Sequence, residues 1–171
     1  LVIGSEQIIS ALFGYGSFTE NSVFNSSNAL YYFGLGLPAF ALIKVFSTFF
    51  FANHDTKTPF YISLVSVLVN ILISVYFFKD IGFIIIPIAT TISSWFNSLM
   101  LFIYLKNNNL FEFNKTFFKQ FVKITFASII MGIFFQYLIL LFEDQLRYTY
   151  FFKSAYLLLC VLFTIIFYFA L

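Results

Sequence analysis

Long runs of apolar residues, separated by short polar stretches, dominate the chain. A helix that crosses the hydrocarbon core of a bilayer needs about 20 apolar residues at ~1.5 Å rise per residue. Runs of this length lie at residues 29–51, 60–78, 83–105, 117–142 and 151–171. Because short connections make consecutive helices antiparallel neighbours, these runs predict a bundle. The pattern indicates an all-α integral membrane protein, a polytopic bundle of about five transmembrane helices plus the tail of a sixth.

Composition narrows the class of protein further. Hydrophobic residues make up 61% and charged residues only 9% of the chain, with a mean hydropathy of +0.97. Soluble domains carry about 25% charged residues, so this chain has too few charges to cover a soluble surface. A soluble domain, a disordered chain and a nucleic-acid-binding module are therefore excluded. With one cysteine, one histidine and no catalytic motif, the sequence predicts no enzymatic activity.

The spacing of the apolar runs divides the chain into three regions. Residues 1–18 are the end of a preceding transmembrane helix and an outward loop, residues 19–106 hold three transmembrane helices, and residues 107–171 hold two more. Thr58 is the expected N-cap of the second span, with Pro59 at its first helical position. Both ends lie next to apolar runs, and we expect the chain to be a piece of a larger protein.

Basic residues predict the orientation, because cytoplasmic loops of membrane proteins carry an excess of Lys and Arg. One side would carry Lys57, Lys106, Lys115 and Lys119, and the other would carry Lys79, Arg147 and Lys153. This modest bias places the C-terminus in the cytoplasm.

A basic amphipathic segment opens the last region. Its lysines recur every four residues, at Lys115, Lys119 and Lys123. Each lysine near an anionic leaflet would contribute about 1 kcal/mol to membrane-surface binding. An ordinary positive-inside anchor is the alternative interpretation.

Polar side chains inside the second and third spans form a candidate site. The turn at residues 79–82 folds the two spans into a hairpin and brings Asn70 and Thr90 to similar depth. Ser74 shares a face with Asn70, and Ile86 shares a face with Thr90. Their oxygens could hold a small cation between the helices. The alternative is interhelical hydrogen bonding, with each bond worth about 0.6 kcal/mol.

The first span carries one charge and a candidate helix hinge. Lys44 either snorkels to the cytoplasmic interface or faces a polar cavity. Gly34, Gly36 and Pro38 precede it, and Pro38 removes a backbone hydrogen bond and should kink the helix. Kinked spans are frequent in transporters but also occur in static bundles.

Several strings in the first 98 residues resemble a known family. Leu-Phe-Gly-Tyr-Gly-Ser-Phe-Thr stands at residues 12–19, Gly-Leu-Gly-Leu-Pro-Ala-Phe at 34–40, and Asp-Thr-Lys-Thr-Pro at 55–59. Together with Lys44 and Asn70, this series resembles the C-terminal half of the MurJ (MviN) lipid II flippases. They belong to the multidrug/oligosaccharidyl-lipid/polysaccharide exporter superfamily.

The resemblance implies a fold and a function. Family members have two lobes around a cationic cavity, and the chain would supply the end of the ninth helix and the five that follow. They move undecaprenyl-pyrophosphate-linked peptidoglycan precursor from the inner to the outer leaflet of the bacterial cytoplasmic membrane. The implied partners are membrane lipids, this lipid-linked substrate and the N-terminal part of the same protein, with no nucleic acid. The last two helices would form a groove for the lipid tail.

The resemblance also implies a sodium site in the hairpin. In the family it is lined by an Asn, an Asp one turn later, a backbone carbonyl and a Thr. Asn70, Ile86 and Thr90 match that spacing, whereas Ser74 stands in place of the Asp and donates less to a cation. Apart from this ion, no cofactor or metal is expected.

The predicted function is lipid II translocation as part of a full-length alternating-access flippase. A related exporter of polysaccharide precursors or drugs is one alternative. Upstream cavity charges would separate the two, since arginines favour a pyrophosphate lipid and acidic residues favour cationic drugs. A non-transporting membrane scaffold protein is the other alternative, and its bundle would lack a continuous polar path.

Overall fold

A computed structural model describes residues 1–108 and 115–170, with side chains for residues 1–108 and 119–169. In these ranges the chain is helical and contains no strand, so the all-α prediction is confirmed. The helices are α1 (Ser5–Phe13), α2 (Glu20–Ala52), α3 (Lys57–Ile81), α4 (Ile85–Asn107), α5 (Lys115–Leu141), α6 (Glu143–Leu146) and α7 (Lys153–Ala170). A 3₁₀ turn, Gly82–Ile84, joins α3 to α4.

Three stretches of the described chain are long and apolar enough to cross a membrane: Glu20–Ala52, Lys57–Asn107 and Lys119–Leu141. The second stretch contains the turn at Gly82, whose φ of +74° favours glycine, and is therefore two helices. A shorter apolar helix, Lys153–Phe169, follows. The helices α2, α3, α4, α5 and α7 correspond to the five predicted spans.

Helix α2 begins earlier than its apolar run. It starts at Glu20, and its 33 residues extend about 50 Å at ~1.5 Å per residue. The Thr19 hydroxyl accepts the backbone N–H of Ser22 at 3.3 Å, as an N-cap residue does. A capped polar turn therefore precedes the apolar part of this helix.

Helix α3 also begins differently from the prediction. It starts at Lys57, so Thr58 is not its N-cap and Pro59 is its third residue. The Asp55 carboxylate accepts the backbone N–H groups of Lys57 (3.1 Å) and Thr58 (3.0 Å). These bonds satisfy donors that the first helical turn leaves unpaired. Hydrogen bonds that the Thr58 hydroxyl and the Thr58 N–H donate to the carboxylate hold the pKa of Asp55 below its usual value.

The chain divides into two compact units, each described by itself. The bipartite unit joins Leu1–Tyr31 to Phe113–Leu171, and the hairpin unit is Tyr32–Glu112. In the bipartite unit, Ala11, Ile139, Leu146 and Leu157 are buried together. In the hairpin unit, Phe46, Phe50, Leu101 and Leu105 form the core. The predicted regions 1–18, 19–106 and 107–171 stay predictions.

Candidate functional site

The turn at Gly82 brings the four predicted hairpin residues into one hydrogen-bonded group. The Asn70 amide donates from Nδ2 to Thr90 Oγ1 (3.1 Å) and Ser93 Oγ (3.2 Å). Thr90 Oγ1 donates to the Ile86 carbonyl at 2.8 Å, and Ser74 Oγ lies 3.5 Å from Asn70 Oδ1. We call Asn70, Ser74, Ile86, Thr90 and Ser93 the polar hairpin cluster. It links α3 to α4 through neutral groups.

The same seam of α3 and α4 contains a second polar contact. Asn97 donates from Nδ2 to Ser63 Oγ at 3.4 Å. Asn97 is only 8% exposed, and its Oδ1 has no hydrogen-bond partner among the described residues. Polar pairing therefore extends along the hairpin beyond the four predicted residues.

The arrangement of the polar hairpin cluster bears on the predicted sodium ion. Its oxygens are neutral, and the Ile86 carbonyl and the Thr90 hydroxyl already bond to each other. The Asn70 amide presents nitrogen, rather than oxygen, to Thr90. Among the described residues, no group of three His, Cys, Asp or Glu could hold a metal ion. As arranged, these residues satisfy one another and do not fit a bound sodium ion, whose site stays a prediction.

Helix α4 also binds the backbone of α2 beside the predicted hinge. Thr91 Oγ1 donates to the Tyr32 carbonyl at 2.6 Å, and Trp95 Nε1 donates to the Leu35 carbonyl at 3.2 Å. A Cβ at Gly36 would lie 3.0 Å from Thr91 Oγ1, so glycine allows this close approach.

The three predicted hinge residues all lie within α2. The helix continues without a break through Pro38, and Gly34 and Gly36 are buried. Pro38 is exposed. Their role as a hinge stays a prediction.

The predicted lysines lie on the outside of their helices. Lys44 is exposed on α2, as Lys119 and Lys123 are on α5. Lys115 begins α5, but its side chain and residues 109–114 of the amphipathic segment lie outside the described residues. Snorkelling, a cavity role and surface binding by these lysines stay predictions.

Sequence reasoning missed one buried charge. Lys153, counted above as a loop lysine, is only 1% exposed. Its Nζ donates to the carbonyls of Gly14 and Tyr148, each at 2.7 Å. The same Nζ lies 4.4 Å from the ring centroid of Tyr15 and 4.5 Å from that of Tyr148, as in cation–π contacts. We call Gly14, Tyr15, Tyr148 and Lys153 the Lys153 cage.

Further bonds fix the string at residues 12–19 around the cage. Ser154 Oγ lies 2.6 Å from both the Ala11 carbonyl and the Tyr15 hydroxyl. The Tyr148 hydroxyl donates to the Phe18 carbonyl at 2.6 Å. Gly14 has no room for a side chain, since its Cβ would lie 2.5 Å from the Ser10 carbonyl oxygen. The glycine and tyrosine of this string were the available sequence signal, but nothing in the sequence indicated that they contact Lys153.

The fold and these clusters define the class of the molecule as a polytopic α-helical membrane protein with paired polar groups between its helices. The sequence model described as "Lipid II flippase MurJ" matches residues 1–161, and the chain belongs to this family. Membership and the apolar helices together support a multi-pass protein of the inner membrane.

Curated proteins show the same relationship. A probable lipid II flippase MurJ of Rhizobium meliloti (strain 1021) is 39% identical over 60% of this chain and 19% of its own length. The one of Rickettsia prowazekii (strain Madrid E) is 36% identical over 61% and 20%. The lipid II flippase MurJ of Burkholderia cenocepacia (strain J2315) is 28% identical over 73% and 24%. The chain thus spans about a fifth to a quarter of these relatives.

Proposed function

We propose that this chain is the C-terminal part of a flippase that moves lipid II from the inner to the outer leaflet of the bacterial cytoplasmic membrane. The family match over residues 1–161 carries this proposal. It favours a lipid II flippase over a related exporter or a scaffold protein. Because the chain spans only a fifth to a quarter of its relatives, the remaining helices would supply the rest of the substrate path.

In this proposal the bipartite unit accommodates the lipid tail. An apolar groove of about 710 Å³ runs along α5 beside the start of the chain, and Ile129, Ile133 and Leu140 help to line it. Between α5 and α7, the rings of Phe134 and Phe167 stack at 4.2 Å. The groove beside α5, rather than the filled contact between α5 and α7, therefore suits an acyl or prenyl chain.

The hairpin unit would serve as a stiff element of the moving lobe. Side-chain bonds join α3 to α4 through Asn70, and α4 to α2 through Thr91. In alternating access, packed elements move largely as rigid bodies. The C-terminus would lie in the cytoplasm, as the lysine distribution predicts.

Complementation tests the proposal directly. The natural full-length polypeptide would be expressed in bacteria depleted of their own lipid II flippase. We expect restored growth, together with lipid II that becomes accessible at the outer leaflet. Expression without either effect would contradict the proposal. Export of drugs without lipid II would instead support the related exporter.

A further inference from the structure

Helix α2 has a weak point at Pro38, inside a long helix. Proline has no N–H, so it cannot donate a hydrogen bond to the Gly34 carbonyl four residues earlier, and its ring crowds that carbonyl. Gly34 and Gly36 add backbone freedom in the same turn. Sharp bends in helices are typical of proline positions. The turn at residues 34–38 is therefore the place where α2 bends most easily.

Two side chains of α4 bind this turn of α2 from outside. Thr91 Oγ1 donates to the Tyr32 carbonyl at 2.6 Å. One helical turn further along α4, Trp95 Nε1 donates to the Leu35 carbonyl at 3.2 Å. The two accepting carbonyls stand on either side of Gly34, whose own carbonyl lacks the donor that proline removes. We call Thr91 and Trp95 the α2 latch, because they hold the weak point against α4.

The contact that the α2 latch closes contains only small side chains on the α2 side. Gly34, Gly36 and Ala39 are the buried positions of α2 at this level, and none carries more than a methyl group. A Cβ at Gly36 would lie 3.0 Å from Thr91 Oγ1, so the α2 backbone meets that hydroxyl directly. The latch can therefore open without pulling a large side chain out of a core.

The later part of α2 is held to α4 in a different way. Phe46 and Phe50 are buried together with Leu101 and Leu105 of α4 in the core of the hairpin unit. Large side chains that interdigitate at the density of a protein interior resist separation. This part of the contact therefore stays closed whether or not the α2 latch is made.

The boundary between the two compact units also falls within α2. Residues 20–31 of this helix belong to the bipartite unit, and residues 32–52 belong to the hairpin unit. The turn at residues 34–38 follows directly after that boundary. A bend in this turn would redirect the first part of α2 while the core of the hairpin unit stays intact.

We propose that α2 contains a proline hinge at residues 34–38, and that Thr91 and Trp95 are positioning residues that latch it straight. Release of their two bonds lets the first part of α2 tilt away from α4, and renewed bonding straightens the helix. The inference rests on the proposed flippase for its purpose, because alternating access moves packed elements about hinges. The bend itself is a property of this chain and is measurable without lipid II.

Double electron–electron resonance on the natural full-length protein in nanodiscs tests the proposal. Spin labels carried by non-natural amino acids replace Phe24, near the start of α2, and Leu99 of α4, which are both exposed. We expect two distances between the labels, a shorter one for the latched helix and a longer one for the bent helix. The ratio of the longer-distance to the shorter-distance population is the measured quantity.

Variants that remove one donor at a time connect this ratio to the α2 latch. Thr91→Val removes the hydroxyl and Trp95→Phe removes the ring N–H, and each should raise the ratio about threefold, as expected for one average interhelical bond. The double variant should raise it about eightfold. Thr48→Val is the control, because the Thr48 hydroxyl donates to the Val45 carbonyl of α2 itself. It should change the ratio less than about 1.5-fold.

Pro38→Ala separates a hinge from a simple contact. Alanine returns an N–H to the Gly34 carbonyl, so the helix holds itself straight and lipid II export should fall. In this background, Thr91→Val and Trp95→Phe should each change the ratio less than about 1.5-fold. Gly36→Ala presses on the Thr91 hydroxyl and should raise the ratio although both donors remain.

Four results would overturn the proposal. Unchanged ratios in Thr91→Val and Trp95→Phe would show that these bonds do not hold α2, and an equal rise in Thr48→Val would show general loosening. Equal effects of the latch variants with and without Pro38→Ala would show a simple contact. Normal lipid II export by the Pro38→Ala protein would show that transport does not use the bend. Absence of export by the unsubstituted protein would instead contradict the proposed function alone, since the distances are measured without lipid II.

Discussion

The polar hairpin cluster and the Lys153 cage both place polar groups within an otherwise apolar helical protein, but they pair these groups in different ways. The hairpin cluster joins neutral side chains that lie only 20 to 23 residues apart, and Asn70 donates to two of them, Thr90 and Ser93. The cage holds one ammonium with carbonyls and ring faces, and Gly14 and Lys153 are 139 residues apart. Among the described side chains, Lys153 has no carboxylate partner.

This difference indicates how each cluster should respond to damage. In a network of neutral groups, the loss of one bond leaves other partners available, and interhelical bonds in membranes average about 0.6 kcal/mol. In the cage, one side chain satisfies two carbonyls, one through a buried bond and one through a partly buried bond. Leaving a buried acceptor unpaired costs about 1–3 kcal/mol. We therefore expect the cage to matter more for stability and the hairpin cluster to matter more for function.

Removal of the cage ammonium should have the largest effect. Lys153→Met keeps the length of the side chain but leaves the Gly14 and Tyr148 carbonyls unpaired, so we expect a loss of about 2–4 kcal/mol. Thermal unfolding of the purified full-length protein would measure it. Lys79→Met is the control, because Lys79 is an exposed lysine near the end of α3. Equal melting temperatures for the two variants would refute the importance of the cage.

A methyl group added to a tightly packed glycine compares how well each unit tolerates a larger side chain. Gly14→Ala places a Cβ 2.5 Å from a backbone oxygen, which forces the backbone to shift and should cost about 1–3 kcal/mol. Gly36→Ala meets the Thr91 hydroxyl at 3.0 Å, where a side chain can move aside, so its effect should be smaller. Unfolding temperatures of both variants check the order. A reversed order would mean that α2 and α4 are held more rigidly than the cage.

Substitutions in the polar hairpin cluster should separate transport from stability. We expect Asn70→Leu and Thr90→Val each to lower stability by about 0.6 kcal/mol while reducing transport in the complementation assay. Thr48→Val is a suitable control, because the Thr48 hydroxyl donates to the Val45 carbonyl of its own helix at 2.6 Å. Normal wall synthesis by both hairpin variants would show that the cluster only packs the helices together and has no role in transport.

The smallest effect should come from the cap of α3. Asp55→Ala removes the acceptor of two backbone N–H groups and should lower the melting temperature by about 1–2 °C at pH 7. Because the pKa of Asp55 is lowered in the folded state, its contribution is present above the unfolded value of about 3.9. That contribution is lost as the pH falls through the folded pKa. Melting curves of the two proteins should therefore converge below about pH 4, and a constant difference would contradict this reasoning.

Features close together along the chain were predictable from the sequence. Counting outward from the turn at residues 79–82 placed Asn70 opposite Thr90, because a tight turn fixes the register of two helices. The start of α2 at Glu20 was missed, since its polar first turns carry no apolar signal. At α3, Asp55 and Thr58 are both good capping residues, and their order alone does not select one.

Counting residues along the chain could not predict the Lys153 cage. A lysine at the end of a span has a flexible stem that can extend to water or turn inward, so its type does not reveal its burial. Tyr148 lies only five residues before it, but Gly14 and Tyr15 lie at the opposite end of the chain, in a glycine-containing loop. Long-range contacts of this kind depend on how distant helices pack, which periodicity does not encode.

The two bonds from α4 to α2 have an evolutionary consequence. Thr91 and Trp95 donate to main-chain oxygens, and every residue type supplies such an oxygen. These two bonds therefore place no constraint on the side chains at positions 32 and 35, while they should retain a hydroxyl at 91, a ring N–H at 95 and glycine at 36. Related sequences should therefore conserve residues 36, 91 and 95 even where the side chains at positions 32 and 35, whose carbonyls accept these bonds, differ.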